Sequence, residues 1–272
     1  MIDNIDLTKS NEYTLSIRLS ADGFCFSIVN PIKESDFYFS RYEVLRSCSM
    51  SANLRKWLAE TKELRLSYRK VNVIVDSTRF IATPSDFFDK DKVSLLFYSN
   101  FSESSNETVL YDDAVKGSMK VLFGIDKYTL QSITEQYSNA QIYSSVTPLL
   151  NYFESKSRMG SNKKIYVQLS EHDMKVFCFD RSKLLILNSY NCRQNPDRIY
   201  YLLYIWKQTI CSEEKDELII NGNIKRKDEL VRELKRFIPN VYVLLPKSEF
   251  NRSPLAQVEE LSFDMQTLLL CE

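Results

Sequence analysis

The sequence predicts an α/β protein built from two related halves, because the same order of elements occurs twice along its 272 residues. Each half begins with an alternating apolar strand, a polar turn and a returning strand, at residues 13–29 and 165–179. Both hairpins contain Leu-Ser before the turn and Phe-Cys-Phe on the returning strand. Apolar alternation on both sides of a polar turn is typical of a β-hairpin, and a pattern repeated at one offset indicates duplication.

The elements that follow the hairpins also match. A third strand is predicted after each hairpin, at residues 36–42 and 183–188. A helix comes next in each half, and the only two tryptophans of the chain, Trp57 and Trp206, lie in these helices at an offset of roughly 150 positions. The second helix has Asn195 as its predicted N-cap and Pro196 at its first position.

The later elements match at a shorter offset, which indicates an insertion in the first half. The fourth strands are predicted at residues 71–75 and 218–220, the next helices at 126–137 and 227–238, and the last strands at 141–144 and 241–245. The offset falls from roughly 150 to roughly 100 positions. We therefore predict a first half over residues 1–156 with an inserted subdomain at 77–125, a linker at 157–163 rich in Ser, Gly and Lys, and a second half over 164–272. Within the insertion, residues 92–98, 108–111 and 118–123 are predicted strands.

Composition argues against several classes of function. The 36 Lys and Arg residues equal the 36 Asp and Glu residues, so no basic excess favours a nucleic-acid partner. The longest strongly apolar run, residues 200–206, is too short to span a membrane, and no signal peptide is recognisable, so no membrane insertion is expected. Six cysteines without a Cys-x-x-Cys pair suit reduced core thiols and predict a cytoplasmic location. His172, the only histidine, excludes a multi-histidine metal site and is predicted to be an exposed hairpin residue.

This duplicated order of elements resembles the ribonuclease-H-like fold in its paired form, the actin-like ATPase fold. Over its whole length the chain resembles a bacterial family known as domain of unknown function 3822, found mainly in Bacteroidetes. The place of the insertion is similar to that in bacterial actin-like scaffolds of cell division and type IV pilus assembly. In those scaffolds the inserted subdomain contacts partners, so the resemblance implies a protein partner, whose identity the sequence does not specify.

Working actin-like ATPases carry an Asp-x-Gly turn in the first hairpin of each half, where Asp organises Mg²⁺ and water and Gly lets backbone amides approach phosphate. In this chain the two Asp positions hold Arg18 and Gln168, and the two Gly positions hold Ser20 and Ser170. Neither Arg nor Gln replaces a carboxylate as a ligand for a hard cation. These replacements disfavour ATP and Mg²⁺ as cofactors, so we expect no cofactor and a protein that is not a working enzyme.

A third family motif, the Gly-Gly turn on the adenosine side, corresponds to Asn221, Gly222 and Asn223, where one glycine is retained. These three residues are candidate ligand contacts, although Asn-Gly-Asn is also a favourable turn.

Arg18 has two interpretations: a cation that holds a phosphate or carboxylate at the mouth of the cleft, or a strand residue paired with an acid such as Asp22, which lies in the hairpin turn. A nuclease would need carboxylates on the first strand, first helix and fourth strand. Asp76 and Glu60 satisfy two of these positions, but Arg18 occupies the first strand.

Three functional hypotheses remain. The first is a non-catalytic actin-like protein that binds a partner or acts as a scaffold through the insertion or the cleft. Phe80, Phe87 and Phe88 form a docking patch in this hypothesis, or else cover the insertion's own core. The second is a degenerate nucleotide-binding protein or weak ATPase that uses residues such as Arg18, Ser20, Ser170 and Asn223 in the cleft between the halves. The third is a protein that acts through homo-oligomerisation.

Overall fold

The computed structural model describes residues 5–33, 35–45, 47–251 and 253–271. The elements of the first half are β1 (Thr14–Ser20), β2 (Gly23–Val29), β3 (Phe37–Tyr42), α1 (Met50–Glu60), β4 (Lys70–Val75), β5 (Phe80–Pro84), α2 (Val93–Tyr98), β6 (Glu107–Ala114), β7 (Met119–Asp126), α3 (Lys127–Gln136), β8 (Gln141–Ser144) and α4 (Val146–Ser157). Those of the second half are β9 (Lys163–Leu169), β10 (Asp173–Asp180), β11 (Lys183–Asn191), α5 (Asn195–Gln208), β12 (Glu217–Gly222), α6 (Lys227–Leu234), β13 (Val241–Val243), α7 (Pro246–Glu249) and α8 (Phe263–Cys271).

Two five-stranded sheets share one topology. The first has the order β3-β2-β1-β4-β8, and the second has the order β11-β10-β9-β12-β13. In each sheet the first three strands form an antiparallel meander and the remaining two run parallel to the central strand. The predicted α/β fold with two halves of the same order is confirmed.

Alternation along the strands assigns one face of each sheet to a core. In the first half, Leu15, Ile17 and Leu19 of β1 share a buried cluster with Trp57 of α1 and Ile133 of α3. In the second half the matching cluster joins strands β9, β10 and β12 to helices α5 and α6, and its members include Val167, Val176, Ile220, Trp206 and Leu230. The two tryptophans therefore occupy corresponding positions, as their spacing predicts.

The last helix of each half packs against the sheet of the other half. On α4, the ring of Phe153 stacks on Tyr166 of β9 with 4.4 Å between centroids and contacts Phe177 of β10. On α8, Met265 and Leu268 share a buried cluster with first-half residues that include Cys25 and Ile74. Because of this exchange, each half buries part of its sheet only with a helix supplied by the other.

The inserted subdomain is a three-stranded sheet of order β5-β7-β6 with helix α2 beside it. The predicted strand at residues 92–98 is wrong: Val93–Tyr98 is a helix that buries Phe97. Short apolar runs do not distinguish a strand from a buried helical turn by periodicity. Here the Asp89 carboxylate accepts a hydrogen bond from the Asp91 amide and begins a helical turn just before α2.

The predicted N-cap of α5 is displaced by one residue. Asn195 lies inside the helix, and Gln194 holds the cap position without a side-chain hydrogen bond. The side-chain amide of Asn195 instead accepts a hydrogen bond from Arg198 and donates one to the carbonyl of Arg226. The side chain that the sequence predicts as the cap is therefore used in these other contacts. Within the described ranges, none of the helices has the length and apolar character needed to cross a bilayer.

Candidate functional site

The first hairpins of the two halves meet between the sheets. The β1–β2 turn contains Asp22, the β9–β10 turn contains His172, and His172 Nε2 lies 3.6 Å from Asp22 Oδ1. Both side chains are exposed at the mouth of this junction. The region behind them, at the carboxyl ends of β1 and β4, is where the sequence places its candidate residues.

Arg18 lies on the face of β1 opposite the first-half core, where it joins the two halves. Its Nη2 donates to Asp76 Oδ2 at 2.6 Å, just beyond β4, and its Nε donates to Asp264 Oδ2 at 2.8 Å, on α8. The expectation that Arg18 pairs with an acid is confirmed, but the partner is not Asp22. Asp22 is adjacent in sequence, yet its turn points to the second-half hairpin, whereas α8 brings Asp264 across the sheet face.

Lys175 of β10 completes the arrangement from the second half. Its Nζ donates to Asp76 Oδ1 at 2.7 Å and lies 3.4 Å from Asp173 Oδ1, and its side chain is only 2% exposed. Ser145 Oγ also donates to Asp76 Oδ1, at 2.8 Å. We call Arg18, Lys175, Asp76, Asp173, Asp264 and Ser145 the cleft network.

Burial and ion pairing act in opposite directions on these charges. Burial alone would raise the pKa of Asp76, but Arg18 and Lys175 outweigh it and hold that pKa well below its ordinary value of 3.8. Burial alone would lower the pKa of Lys175, and Asp76 and Asp173 reverse that effect, so its pKa is raised. Ion pairing therefore stabilises the charged forms of Asp76 and Lys175, whereas burial, with the nearby charge of Asp76, raises the pKa of Asp173.

The turns of both hairpins are held by hydrogen bonds within the protein. In the first, Ser20 Oγ accepts from the Asp22 amide at 3.2 Å and donates to the Gly23 carbonyl at 3.1 Å. In the second, the Ser170 amide donates to the Asp173 carbonyl at 2.9 Å, and buried Arg198 donates to the Ser170 carbonyl at 3.0 Å. The Ser20 hydroxyl and the Ser170 amide are thus engaged within the protein.

The remaining candidates form a neutral group on the second sheet. Asn221 Nδ2 donates to Gln168 Oε1 at 2.7 Å, and these residues face each other on β12 and β9. Gly222 has a φ of +98°, and a Cβ there would lie 2.2 Å from the Leu169 carbonyl oxygen, so glycine is required by the approach of two strands. Asn223 is exposed beyond the strand end. The structure thus brings Gln168 and Asn221 together but leaves both outside the cleft network.

Comparison with known proteins identifies the family. A family described as a protein of unknown function (DUF3822) matches residues 2–241. The chain belongs to this family. DUF3822 membership and the actin-like ATPase fold, both expected from the sequence, are confirmed.

Solved structures extend the comparison of this DUF3822 chain. It is 43% identical to a Bacteroides thetaiotaomicron VPI-5482 protein of actin-like ATPase fold and unknown function, with a TM-score of 0.87 over 98% of this chain and 99% of that one. A chain of the PilM–PilN type IV pilus biogenesis complex is 10% identical, with a TM-score of 0.55 over 94% of this chain and 97% of that one, which shows a shared fold alone. None of the curated proteins matches the chain.

At the position that the family resemblance assigns to a Mg²⁺–nucleotide, the charged side chains of this DUF3822 protein are bound to one another. The nearest carboxylate, Asp76, already binds Arg18, Lys175 and Ser145. The Arg18 guanidinium is held by two carboxylates, which would compete with a phosphate. Across the part of the chain that the structure describes, no group of three or more His, Cys, Asp or Glu side chains is arranged to hold a metal ion.

Sequence reasoning missed Lys175, Asp264 and Ser145. One signal was present: Lys175 lies between Met174 and Val176 in an apolar strand, and Arg18 interrupts an apolar strand in the same way. Long cationic side chains on inward-facing strand positions are almost never buried without partners. Two such cations, one on the first strand of the first half and one on the second strand of the second half, therefore predict a shared set of acids.

Proposed function

We propose that this DUF3822 protein is a non-catalytic actin-like protein that serves as a partner-binding or scaffold module. One observation carries the proposal: the cleft network joins β1, β4 and α8 to β10 with the chain's own charges. Arg18 and Lys175 supply the cations and Asp76 the shared anion. In this arrangement the halves are held together by internal ion pairs, and binding energy from a nucleotide is not needed to close them.

The competing function, nucleotide binding or weak ATP hydrolysis, would have to break this arrangement. A phosphate entering between the hairpins would displace Asp264 from Arg18 and leave that buried carboxylate without its cation, or displace Asp76 and leave it with Lys175 alone. Removing one partner of a buried ion pair costs about 3–5 kcal/mol. That cost is the physical reason to favour a closed, non-catalytic cleft.

A thermal-shift titration of the full chain with ATP and ADP, each with and without Mg²⁺, tests this proposal. We expect a midpoint change below about 1 °C at millimolar nucleotide, because a ligand that binds the folded state must raise the midpoint with concentration. An active nucleotide hydrolase of the same fold serves as the positive control. A saturable shift, or ATP hydrolysis that disappears in Arg18→Met, would overturn the proposal.

The inserted subdomain is the surface we propose for the partner. Phe87 is 79% exposed, next to Phe88, whose ring packs 4.8 Å from that of Tyr111. Lys120 Nζ lies 5.5 Å from the centre of the Phe88 ring and bonds to Asp113. Phe80, in contrast, is buried in β5 and belongs to the core. Aromatic side chains are enriched at protein interfaces relative to the rest of the surface, which favours this exposed aromatic group as a contact for the partner.

A matched pair of variants tests this surface. Phe87→Ala and Tyr200→Ala each remove an exposed aromatic ring, but Tyr200, 65% exposed, lies on α5 in the second half. Quantitative co-purification from the native host should show specific partners retained by Tyr200→Ala and reduced at least about tenfold by Phe87→Ala. Equal recovery of every partner with the two variants would remove the insertion from the proposal.

Three further expectations remain part of the proposal. The PilM–PilN complex shows that a protein of this fold can work within an assembly, and we extend that idea to the present chain. Equal numbers of acidic and basic residues favour a protein over a nucleic acid as the partner. The burial of Cys25, Cys178 and Cys192 in the core suits a cytoplasmic protein with reduced thiols.

A further inference from the structure

A pocket of about 290 Å³ lies between helix α4 of the first half and the second sheet. Tyr152 and Lys156 of α4 line it from the first half, and residues of β9, β12, β13 and α7 line it from the second half. It occupies the face of the second sheet that carries Gln168 and Asn221, but at the opposite end, where β9 and β12 begin. The pocket is therefore separate from the cleft network and from the surface proposed for the partner.

The strand register arranges the floor of the pocket in two rows. The charged row consists of Lys164 on β9 and its register partner Glu217 on β12. The apolar row lies on the same face, two residues further along each strand, and consists of Tyr166, Ile219 and Tyr242. Two residues of a strand span about 6–7 Å. A small molecule that contacts both rows therefore needs a charged end and an apolar end.

One ion pair in the wall of the pocket is already satisfied. Lys156 Nζ lies 2.7 Å from Glu249 Oε2, which also accepts a hydrogen bond from the Tyr152 hydroxyl. Burial alone would raise the pKa of Glu249, but Lys156 and Tyr152 outweigh it, so that pKa is lowered. Lys156 and Glu249 therefore compensate each other without a ligand.

The two members of the charged row, in contrast, do not pair with each other. Lys164 Nζ donates to the carbonyls of Met159 and Lys156 at 2.7 and 3.3 Å, at the end of α4. These bonds use two of the three protons of its ammonium group. In the part of the chain that the structure describes, no hydrogen bond or ion pair holds the Glu217 carboxylate. The pocket is thus lined by two neighbouring opposite charges that can still accept and donate hydrogen bonds.

We propose that this pocket binds a free α-amino acid with an apolar side chain. The ammonium group of the ligand donates to Glu217, its carboxylate accepts the remaining proton of Lys164, and its side chain lies on the apolar row. Hydrogen bonds between charged groups are stronger than those between neutral groups, and one zwitterion matches both charges of the row. A volume of about 290 Å³ is at the lower end of the range for ligand pockets, which suits a molecule of this size.

Isothermal titration calorimetry of the full chain with L-phenylalanine and L-leucine tests the proposal. We expect saturable binding of at least one of them, with a Kd of about 1 mM or tighter. Phenethylamine and hydrocinnamate keep the ring of phenylalanine but lack the carboxylate and the ammonium group, respectively. Each should bind at least about tenfold more weakly than L-phenylalanine, because it loses a hydrogen bond between charged groups. No saturable heat with either amino acid up to about 20 mM, or equal affinity for hydrocinnamate and L-phenylalanine, would overturn the proposal.

Variants assign each charge of the ligand to its residue. Glu217→Gln keeps the shape of the side chain but removes its charge, so it should weaken L-phenylalanine and phenethylamine at least about tenfold and leave hydrocinnamate unchanged. Lys164→Met should weaken L-phenylalanine and hydrocinnamate and leave phenethylamine unchanged. Glu214→Gln, at an exposed position in the turn before β12, is the matched control and should bind all three as the natural chain does.

Ligand-observed NMR measures the affinities of the weaker ligands in these variants. A merely structural role of Glu217 or Lys164 would lower the affinity for all three ligands by the same factor. That result, or unchanged binding of L-phenylalanine to Glu217→Gln, would show that the charged row does not recognise the two ends of an amino acid.

Discussion

The two halves share a strand order but differ in the chemistry of the sheet face between them. In the first half, Arg18 of β1 is bound by carboxylates that come from beyond β4 and from α8. At the matching place in the second half, Gln168 of β9 is bound by the amide of Asn221 within its own sheet. A buried charge must find partners of opposite sign wherever the fold offers them, whereas a neutral amide is satisfied locally. Arg18 of the first half therefore binds Asp264 of the second half, and Lys175 of the second half binds Asp76 of the first.

The outer edges of the two sheets differ as well. In the first half, the Ser144 amide of edge strand β8 donates to the carboxylate of Asp112, which belongs to β6 of the insertion, at 2.6 Å. The second half has no insertion at the corresponding place, and its edge strand β13 covers only Val241–Val243. A short edge strand offers few backbone groups for pairing with another chain. The first sheet is therefore protected at β8 by the insertion, and the second sheet is protected by the short length of β13.

The largest test of this contrast compares Arg18→Met with Gln168→Met. Arg18→Met leaves Asp264 without its cation and Asp76 with Lys175 alone, so we expect a loss of about 3–5 kcal/mol in unfolding free energy. Gln168→Met removes one neutral hydrogen bond and should cost about 1 kcal/mol. Denaturant unfolding of both variants at neutral pH measures the difference. Similar losses in the two variants would show that the cleft network is not special.

A second test concerns the glycine that the second half retains. Gly222→Ala forces a Cβ against the Leu169 carbonyl at a positive φ, and we expect a loss of about 3 kcal/mol. Gly117 also has a positive φ, of +81°, but nothing lies within 4 Å of a Cβ there. Gly117→Ala is therefore the matched control and should cost about 1 kcal/mol. If both cost the same amount, the close approach of β9 and β12 does not constrain Gly222.

Two aspartates, buried Asp112 and partly buried Asp76, should respond to pH in opposite directions. Burial raises the pKa of Asp112 to about 7, above its ordinary value of 3.8, so the folded state keeps a proton that the unfolded chain has released. Stability should therefore fall as the pH rises from about 4 to 7 through this group. Asp112→Asn removes that penalty, and we expect it to be more stable than the natural chain by about 4 kcal/mol at pH 8, with the gap closing near pH 4.

Asp76 should give the opposite dependence of stability on pH. Its folded pKa is lowered, so its contribution is present above an unfolded pKa of 3.8 and is lost as the pH falls below that value. Urea unfolding of the natural chain, Asp112→Asn and Asp76→Asn across the pH range measures both effects. A constant difference between the natural chain and Asp112→Asn at every pH would contradict the assignment for Asp112.

The smallest expected effect is at the hairpin junction. His172 and Asp22 join the two turns, but both are exposed, and exposed ion pairs contribute little. We expect His172→Ala to change the unfolding free energy by less than about 0.5 kcal/mol. A loss of unfolding free energy comparable to that of Arg18→Met would show that the hairpin turns, not the cleft network, contribute most to the contact between the halves.

Sequence patterns were sufficient for the duplicated fold because apolar alternation and helical spacing are local signals. Each tryptophan helix and each Phe-Cys-Phe strand is recognisable within a short window, and comparison of these windows reveals the repeat and its change of offset. The strand prediction around Phe97 was wrong because a run of six mixed apolar and polar residues fits either a strand or a helical turn. The tertiary environment, with Phe97 buried beside the insertion sheet, decides between them.

The cleft network was less accessible from the sequence for a physical reason. The bond between Arg18 and Asp264 joins residues 246 positions apart, and no local pattern relates them. Replacement of the phosphate-turn residues was visible, and so was the cation on an inward-facing strand position. The identity of its partners depends on how α8 crosses the first sheet, which only the folded chain specifies.

The exchange of terminal helices also bears on how the chain is synthesised. The sheet of the first half needs Met265 and Leu268 of α8, so this surface stays uncovered until residues 265–268 have left the ribosome. Domains usually fold in the order in which they are translated. Here the nascent first half exposes an apolar sheet face until α8 is synthesised, and molecular chaperones would bind this face during that time.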